Sequence, residues 1–309
     1  MRIAHISDLH ICTENRPDNI KRVERLLIAI TQSNTDHLVI TGDMTHDTQP
    51  KDIELLRNLL SRYGYLQSSK LSVAIGNHDI FGGIHLAEEI VAFPKKCKQT
   101  DYTERVNCFG HYFRESFEKT FRPIANSYFP YFKLLDDILF VGMNSISPYS
   151  TFKNPLASNG RVSNEEMEAI RDTLSFDSYT QMKKIVLIHH HFMPKLVYSS
   201  QADSGIWSVV ENHTMKLFGK GKIMNLFAKN DISLVLHGHV HDNRQYRKNG
   251  IEFLNGGGAV GDWSKPTLKV NYIIKEGDRF KIKIEKLQPE SLIYDDFPVN
   301  EALIPQFAG

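Results

Sequence analysis

Five short apolar runs in this chain each end in a cluster of metal-capable side chains, and that repetition limits the fold more than any other feature. Asp8 and His10 follow the run at 2–6, and Gly42-Asp43 follows 37–41. Gly76-Asn77-His78-Asp79 follows 71–75, and His189, His190 and His191 follow 184–188. His237-Gly238-His239-Val240-His241 closes the run at 233–236. Runs this short and this rich in Ile, Val and Leu read as buried strands. Between the first three lie helical stripes: Ile20, Val23, Leu26, Leu27 and Ile30, then Ile53, Leu55, Leu56, Leu59 and Leu60. Strand–helix–strand alternation predicts a layered α/β core. In open α/β sheets, ligands bind beyond the carboxyl ends of the strands. Five loops should therefore meet at one site.

The remaining segments suit a single domain over 1–309. FKLLDDILFVGMNS (132–145) predicts a hairpin turning at Asp136-Asp137. Ser163 followed by Glu166 predicts a capped helix start. The runs 251–255, 267–274 and 279–287 predict C-terminal strands, taking the strand region to 251–287. The aromatic, proline-dotted stretch 80–132 and the segment 192–231 read as insertions over the core.

Composition narrows the function classes. Lys plus Arg is 37 and Asp plus Glu is 36, so no whole-chain field points to nucleic acid or an anionic membrane. Three cysteines, Cys12, Cys97 and Cys108, form neither a disulfide framework nor a zinc pattern, which suits a reducing compartment. No stretch reaches the ~18 apolar residues of a membrane span. The opening MRIAHISDLH leaves no room for a secretory leader. The expectation is a cytoplasmic protein. Its oligomeric state is open.

The donors themselves suggest the chemistry. In Asp8-x-His10 and His239-x-His241, residues two apart in an extended segment point to the same side and can reach one ion. Mixed carboxylate, amide and imidazole donors suit Mn, Fe, Zn or Co. Two such ions about 3.5–4 Å apart clamp a phosphoryl group. Asp43 is the candidate to bridge them.

This ordered set, D-x-H, G-D, G-N-H-D, a later His and G-H-x-H, resembles the calcineurin-like metallophosphoesterases. The resemblance extends from Arg2 to about Gly261 and includes NSISP (144–148) and GRVSNEE (160–166). It implies an α/β/β/α fold, a layered β-sandwich flanked by helices, with insertions capping a dinuclear metal site. It also implies roles. Asp8, His10, Asp43 and His241 would hold one ion; Asp43, Asn77, a mid-chain histidine and His239 would hold the other. Counting the family's spacing puts His190 in the mid-chain position, with His189 as the alternative and His191 lining the pocket. His78 would be the catalytic residue facing the leaving oxygen, oriented by Asp79. A hydroxide held by the ions would attack phosphorus in line.

The form of the motifs is similar to bacterial-type phosphodiesterases acting on cyclic nucleotides or glycerophosphodiesters. Alternatives are a phosphomonoesterase, or a UDP-sugar-lipid pyrophosphate hydrolase whose insertions would take acyl chains. A non-catalytic binding module would lack ligands, whereas every position here is filled. Among lesser features, Arg161 and Arg244 are candidates for a second phosphate oxygen. Asp242 is a candidate to brace a ligand histidine, and His237 reads as the last core residue of its strand. The basic amphipathic stretch 213–229 reads as core packing or a cap, with peripheral membrane contact as the other option.

Overall fold

A computed structural model describes residues 1–85, 87–193, 215–261, 267–277 and 279–287. The first sheet joins β1 (Arg2–Ile6), β2 (His37–Thr41), β3 (Leu71–Ala74), β12 (Leu268–Glu276) and β13 (Arg279–Leu287), in the order β13-β12-β1-β2-β3. The second joins β4 (Tyr131–Leu135), β5 (Ile138–Gly142), β7 (Lys183–Leu187), β9 (Ile232–His237), β10 (Arg244–Lys248) and β11 (Ile251–Asn255), in the order β10-β11-β9-β7-β5-β4. A short pair, β6 (Gly160–Arg161) and β8 (Leu217–Phe218), lies apart. β1, β2 and β3 run parallel to one another, as do β5, β7, β9 and β11. Each sheet therefore carries several strand ends along one edge.

Pleating sorts the second sheet into two cores. Ile185, Leu187, Leu234 and Leu236 belong to the core shared with the first sheet. Val186, Ile188 and Val235 belong to an outer core. There they meet Ile170 and Leu174 of α7 (Asn164–Leu174) and Ile223, Met224 and Phe227 of α9 (Lys220–Lys229). On the far side, α1 (Pro17–Gln32) and α2 (Pro50–Arg62) bury Val23, Leu26, Leu27, Leu56, Leu59 and Leu60 against the first sheet. Burying each such side chain contributes about 1.5–3 kcal/mol. The layers run helix, sheet, sheet, helix, as the resemblance implied. Helix α9 sends its apolar face into the core, so the described part of the 213–229 stretch is core packing.

Local signals account for the element starts. Pro17 and Asp18 open α1, and Pro50 and Asp52 open α2. The hairpin turns at Asp136, which takes a φ of 52°. Ser163 Oγ accepts the Glu166 N–H at 3.0 Å. The Glu166 carboxyl does not return to Ser163, as a capping box would have it. It accepts the Asn144 N–H at 2.7 Å instead, tying α7 to the end of β5. Helices α3 (His78–Phe81), α4 (Phe93–Gln99), α5 (Tyr102–Tyr112) and α6 (Arg114–Phe117) fill the 80–132 insertion, and α8 (Asp177–Thr180) precedes β7. Phe93, Phe109, Phe113 and Phe117 join the main core, so the insertion packs as a cover. Among the described residues, no helix is long and apolar enough to cross a membrane.

Candidate metal centre

The loops leaving the strand ends are laced together by their own backbone. Asp8 N–H donates to Gly42 O at 3.1 Å and His10 N–H to Asp43 O at 3.0 Å. Within the second sheet, Gly238 N–H donates to His189 O at 3.0 Å. Asn19, at the start of α1, donates to Leu9 O and His10 O at 3.1 Å each and holds the first loop from behind. Two glycines permit the close approach. A Cβ at Gly76 would stand 2.2 Å from Asp43 N, and one at Gly238 would stand 2.0 Å from Ser7 Oγ. Asp8, His10, Asp43 and His239 all take positive φ, between 45° and 74°. That conformation is uncommon outside glycine, and Asp and His are among the residues that tolerate it best.

Two donor groups result. Asp8, His10 and His241 offer ligand atoms within 4.8 Å of one another, and so do Asp43, His189 and His239. Asp43 Oδ2 links them, lying 4.0 Å from His10 Nε2 and 3.4 Å from His189 Nε2. Asp8 accepts the His239 N–H at 3.1 Å and approaches His241 Nε2 at 3.6 Å. The Asn77 carbonyl oxygen lies 3.2 Å from His189 Nε2.

The tautomers show what these groups need. His189 Nδ1 lies 2.8 Å from Thr41 O, an oxygen that can only accept, so in the neutral ring Nδ1 carries the proton. Its Nε2 lone pair then faces Asp43 Oδ2, Asn77 Oδ1 and His239 Nδ1, the last at 3.0 Å. Lone pairs converging in a buried pocket repel unless a positive charge joins them. Burial alone would lower the His189 imidazole, but the Asp43 carboxylate reverses this and holds it up at about 9. Asp43 thus recruits a positive charge, which a proton or a metal cation can supply. Burial pushes His10, His78 and His239 down, leaving neutral imidazoles, the form that ligates. His239 Nε2 and His10 Nδ1 are buried without a hydrogen-bond partner. The donor set fits metal ions.

The structure corrects three sequence expectations. His190 does not face the centre: its Nε2 donates to Ser158 O at 3.1 Å and its Nδ1 accepts from Ser145 Oγ at 2.8 Å. No lone pair remains, whereas His189 groups with Asp43 and His239. Asp79 does not orient His78. Its carboxylate accepts N–H groups of Met44, Thr45 and Gly76 at 2.9, 3.2 and 2.9 Å, while His78 Nδ1 reaches His46 O at 3.3 Å. Asp242 pairs with Arg244 at 3.0 Å, outside the centre. Arg161 lies over the Phe218 ring. His191 Nε2 reaches Met215 O at 3.0 Å, and His237 is held by Tyr246 Oη at 2.8 Å in the outer core.

Sequence reasoning missed His46, whose ring lies against those of His10 and His78 at separations of 5.5 and 4.8 Å. Its place three residues past Asp43 was the available signal.

Comparison with known proteins defines the class. The sequence profile of the calcineurin-like phosphoesterases matches residues 1–243, and the chain belongs to that family. No curated protein matches the sequence. Among solved structures, a dimetal phosphatase from Danio rerio is similar at 12% identity and a TM-score of 0.57, covering 93% of this chain and 98% of that one. The purple acid phosphatase PPD1 from yellow lupin (Lupinus luteus) is similar at 13% identity and a TM-score of 0.53, covering 93% of this chain and 51% of that one. At these identities the likeness concerns the fold. The family makes the chain a phosphoester hydrolase.

Proposed function

We propose that this chain is a two-metal phosphodiesterase acting on a small-molecule phosphoester. The observation that carries the reading is the position of Asp43 Oδ2, facing both donor groups. Asp8, His10, Asp43 and His241 would hold one ion. Asp43, Asn77, His189 and His239 would hold the other. Divalent ions there, manganese, iron, zinc or cobalt, would supply Lewis acidity and a nucleophilic water near neutral pH.

The chain's own groups do the rest. Asp8 and Asp43 offset the ions' charge, and the neutral imidazoles contribute donors without adding to it. His78 is the catalytic residue on the substrate side, 4.6 Å from His10 ring to ring. In its neutral form the single N–H of His78 is committed to His46 O, so it protonates a leaving oxygen only as imidazolium. A bound phosphoester's negative charge favours that cation. Diester preference is supported by the form of Gly76-Asn77-His78-Asp79 and Gly238-His239-Val240-His241.

The test compares bis-p-nitrophenyl phosphate with p-nitrophenyl phosphate on the metal-loaded protein. Metal-dependent cleavage of the diester, lost in Asn77→Ala, is expected. Preference for the monoester would replace this reading with a phosphatase. Turnover of neither substrate by a protein holding two ions would point to a specialised pyrophosphate. A protein that binds no metal would overturn the reading entirely.

A further inference from the structure

Beside this centre stands a separate group of metal-capable side chains that the proposed reaction does not use. Cys12 lies in the loop after β1, Asp47 in the loop after β2, and His85 beyond α3. One ligand atom from each lies within 4.8 Å of the other two. Cys12 Sγ is 3.8 Å from Asp47 Oδ2, and His85 Nε2 contacts the same oxygen. Cys12 is 2% exposed, while the side chains of Asp47 and His85 are each 14% exposed. The group is enclosed yet open enough for an ion to enter.

We propose that Cys12, Asp47 and His85 hold a third divalent ion, zinc by preference. Thiolate, carboxylate and imidazole make a borderline-soft set, unlike the sulfur-free donors at the sheet edge. Ideal zinc bonds of ~2.3 Å to sulfur and ~2.1 Å to oxygen give a tetrahedral sulfur–oxygen edge of about 3.6 Å. The Cys12–Asp47 separation of 3.8 Å fits that edge. Binding releases the Cys12 proton, and the thiolate and carboxylate together neutralise the ion's two charges. Without an ion, Arg16 acts on Asp47 through its charge and His85 contacts it directly.

His46 is the second observation. It is 2% exposed, and neither ring nitrogen has a hydrogen-bond partner. Its ring lies 4.4 Å from that of His85 and also groups with His10 and His78. A buried imidazole with both nitrogens unused is a donor in want of a ligand or water. It stands between the two centres, so a third ion would fix the loops that carry His46 and, through its carbonyl, His78.

Cobalt distinguishes the sites, because Cys12 is the one sulfur donor among these groups. The metal-stripped full chain is titrated with Co²⁺, bound cobalt is counted by mass spectrometry, and thiolate-to-cobalt charge-transfer absorption is recorded. The wild type should show the absorption and hold one more cobalt than Cys12→Ala, which should lack it. Asp43→Ala should bind less cobalt and keep the absorption, separating this site from the proposed reaction centre. Cys97→Ser/Cys108→Ser should keep both signals. Should Cys12→Ala not fold, His85→Ala serves instead, with a tenfold or greater loss of affinity at the absorbing site expected. A cobalt-saturated wild type with no thiolate absorption would overturn the proposal, as would an unchanged absorption in Cys12→Ala or His85→Ala.

Discussion

The two donor groups at the sheet edge use the same side-chain types but differ in their access to water. Asp43, His189 and His239 are 2, 0 and 3% exposed, closed in by both sheets. Asp8 and His10 are as deep, at 1 and 4%, but the His241 side chain is 52% exposed. One residue makes the difference. The closed group is fixed by the hydrogen bond that His189 Nδ1–H donates to Thr41 O and by its neighbours, whereas the open group depends on a ring that water can rotate away. The closed group should retain its ion, and the open group should exchange ions and meet the substrate.

Asp43→Ala tests what the groups share and should have the largest effect. Activity should fall on the order of 10³-fold, as when a main electrostatic element is lost, and metal analysis should show both ions depleted. Loss of one ion alone would mean that the carboxylate is not shared. His189→Ala against His241→Ala tests the contrast itself. His189→Ala should lose the closed-group ion outright, while His241→Ala should weaken its ion about 10–100-fold and recover activity with added metal. Equal affinities in the two variants, by metal titration, would erase the distinction.

His190→Ala sharpens the border of the closed group. It should retain both ions and lose about 1–3 kcal/mol of stability, since the ring's two buried hydrogen bonds, to Ser145 Oγ and Ser158 O, are lost; a missing ion would return His190 to the ligand set. The smallest effect concerns Glu166. Burial raises its carboxyl to about 8, so the folded state keeps a proton that the unfolded chain loses near its ordinary value. That contribution to stability is present at low pH and is lost as pH rises through 8. Glu166→Gln removes it, so the variant's thermal midpoint should gain on the wild type by a few degrees between pH 5 and 8, on the order of 1–3 kcal/mol. A pH-independent difference would count against the buried acid.

Legibility in the sequence divides along physical lines. Strands β1, β2, β3, β7 and β9 and the helices between the first three were readable because apolar spacing is local, and the glycine-flanked donors at their ends were readable for the same reason. The choice between His189 and His190 was not, because it depends on the phase of the pleat. His189 continues the parity of Ile185 and Leu187 toward the first sheet, whereas His190 follows Val186 and Ile188 outward. Strand β10 was missed because RQYRK has no apolar alternation and lies at a sheet edge. Asp79 was misjudged because three backbone donors from two loops claim it, a tertiary fact. Asp47, His46 and His85 come together from irregular loops, where no period announces them.

The left-handed backbone at Asp8, His10, Asp43 and His239 has a consequence for how the molecule ages under mutation. Each such residue costs about 1 kcal/mol or more where a glycine would cost little. A glycine arriving at these four positions would relax the loop while abolishing the donor. Random drift would therefore be rewarded in stability for discarding the chemistry, and a catalogue of more robust variants would be enriched in inert ones. Only selection on the reaction keeps the acidic and imidazole side chains where the polypeptide by itself would shed them.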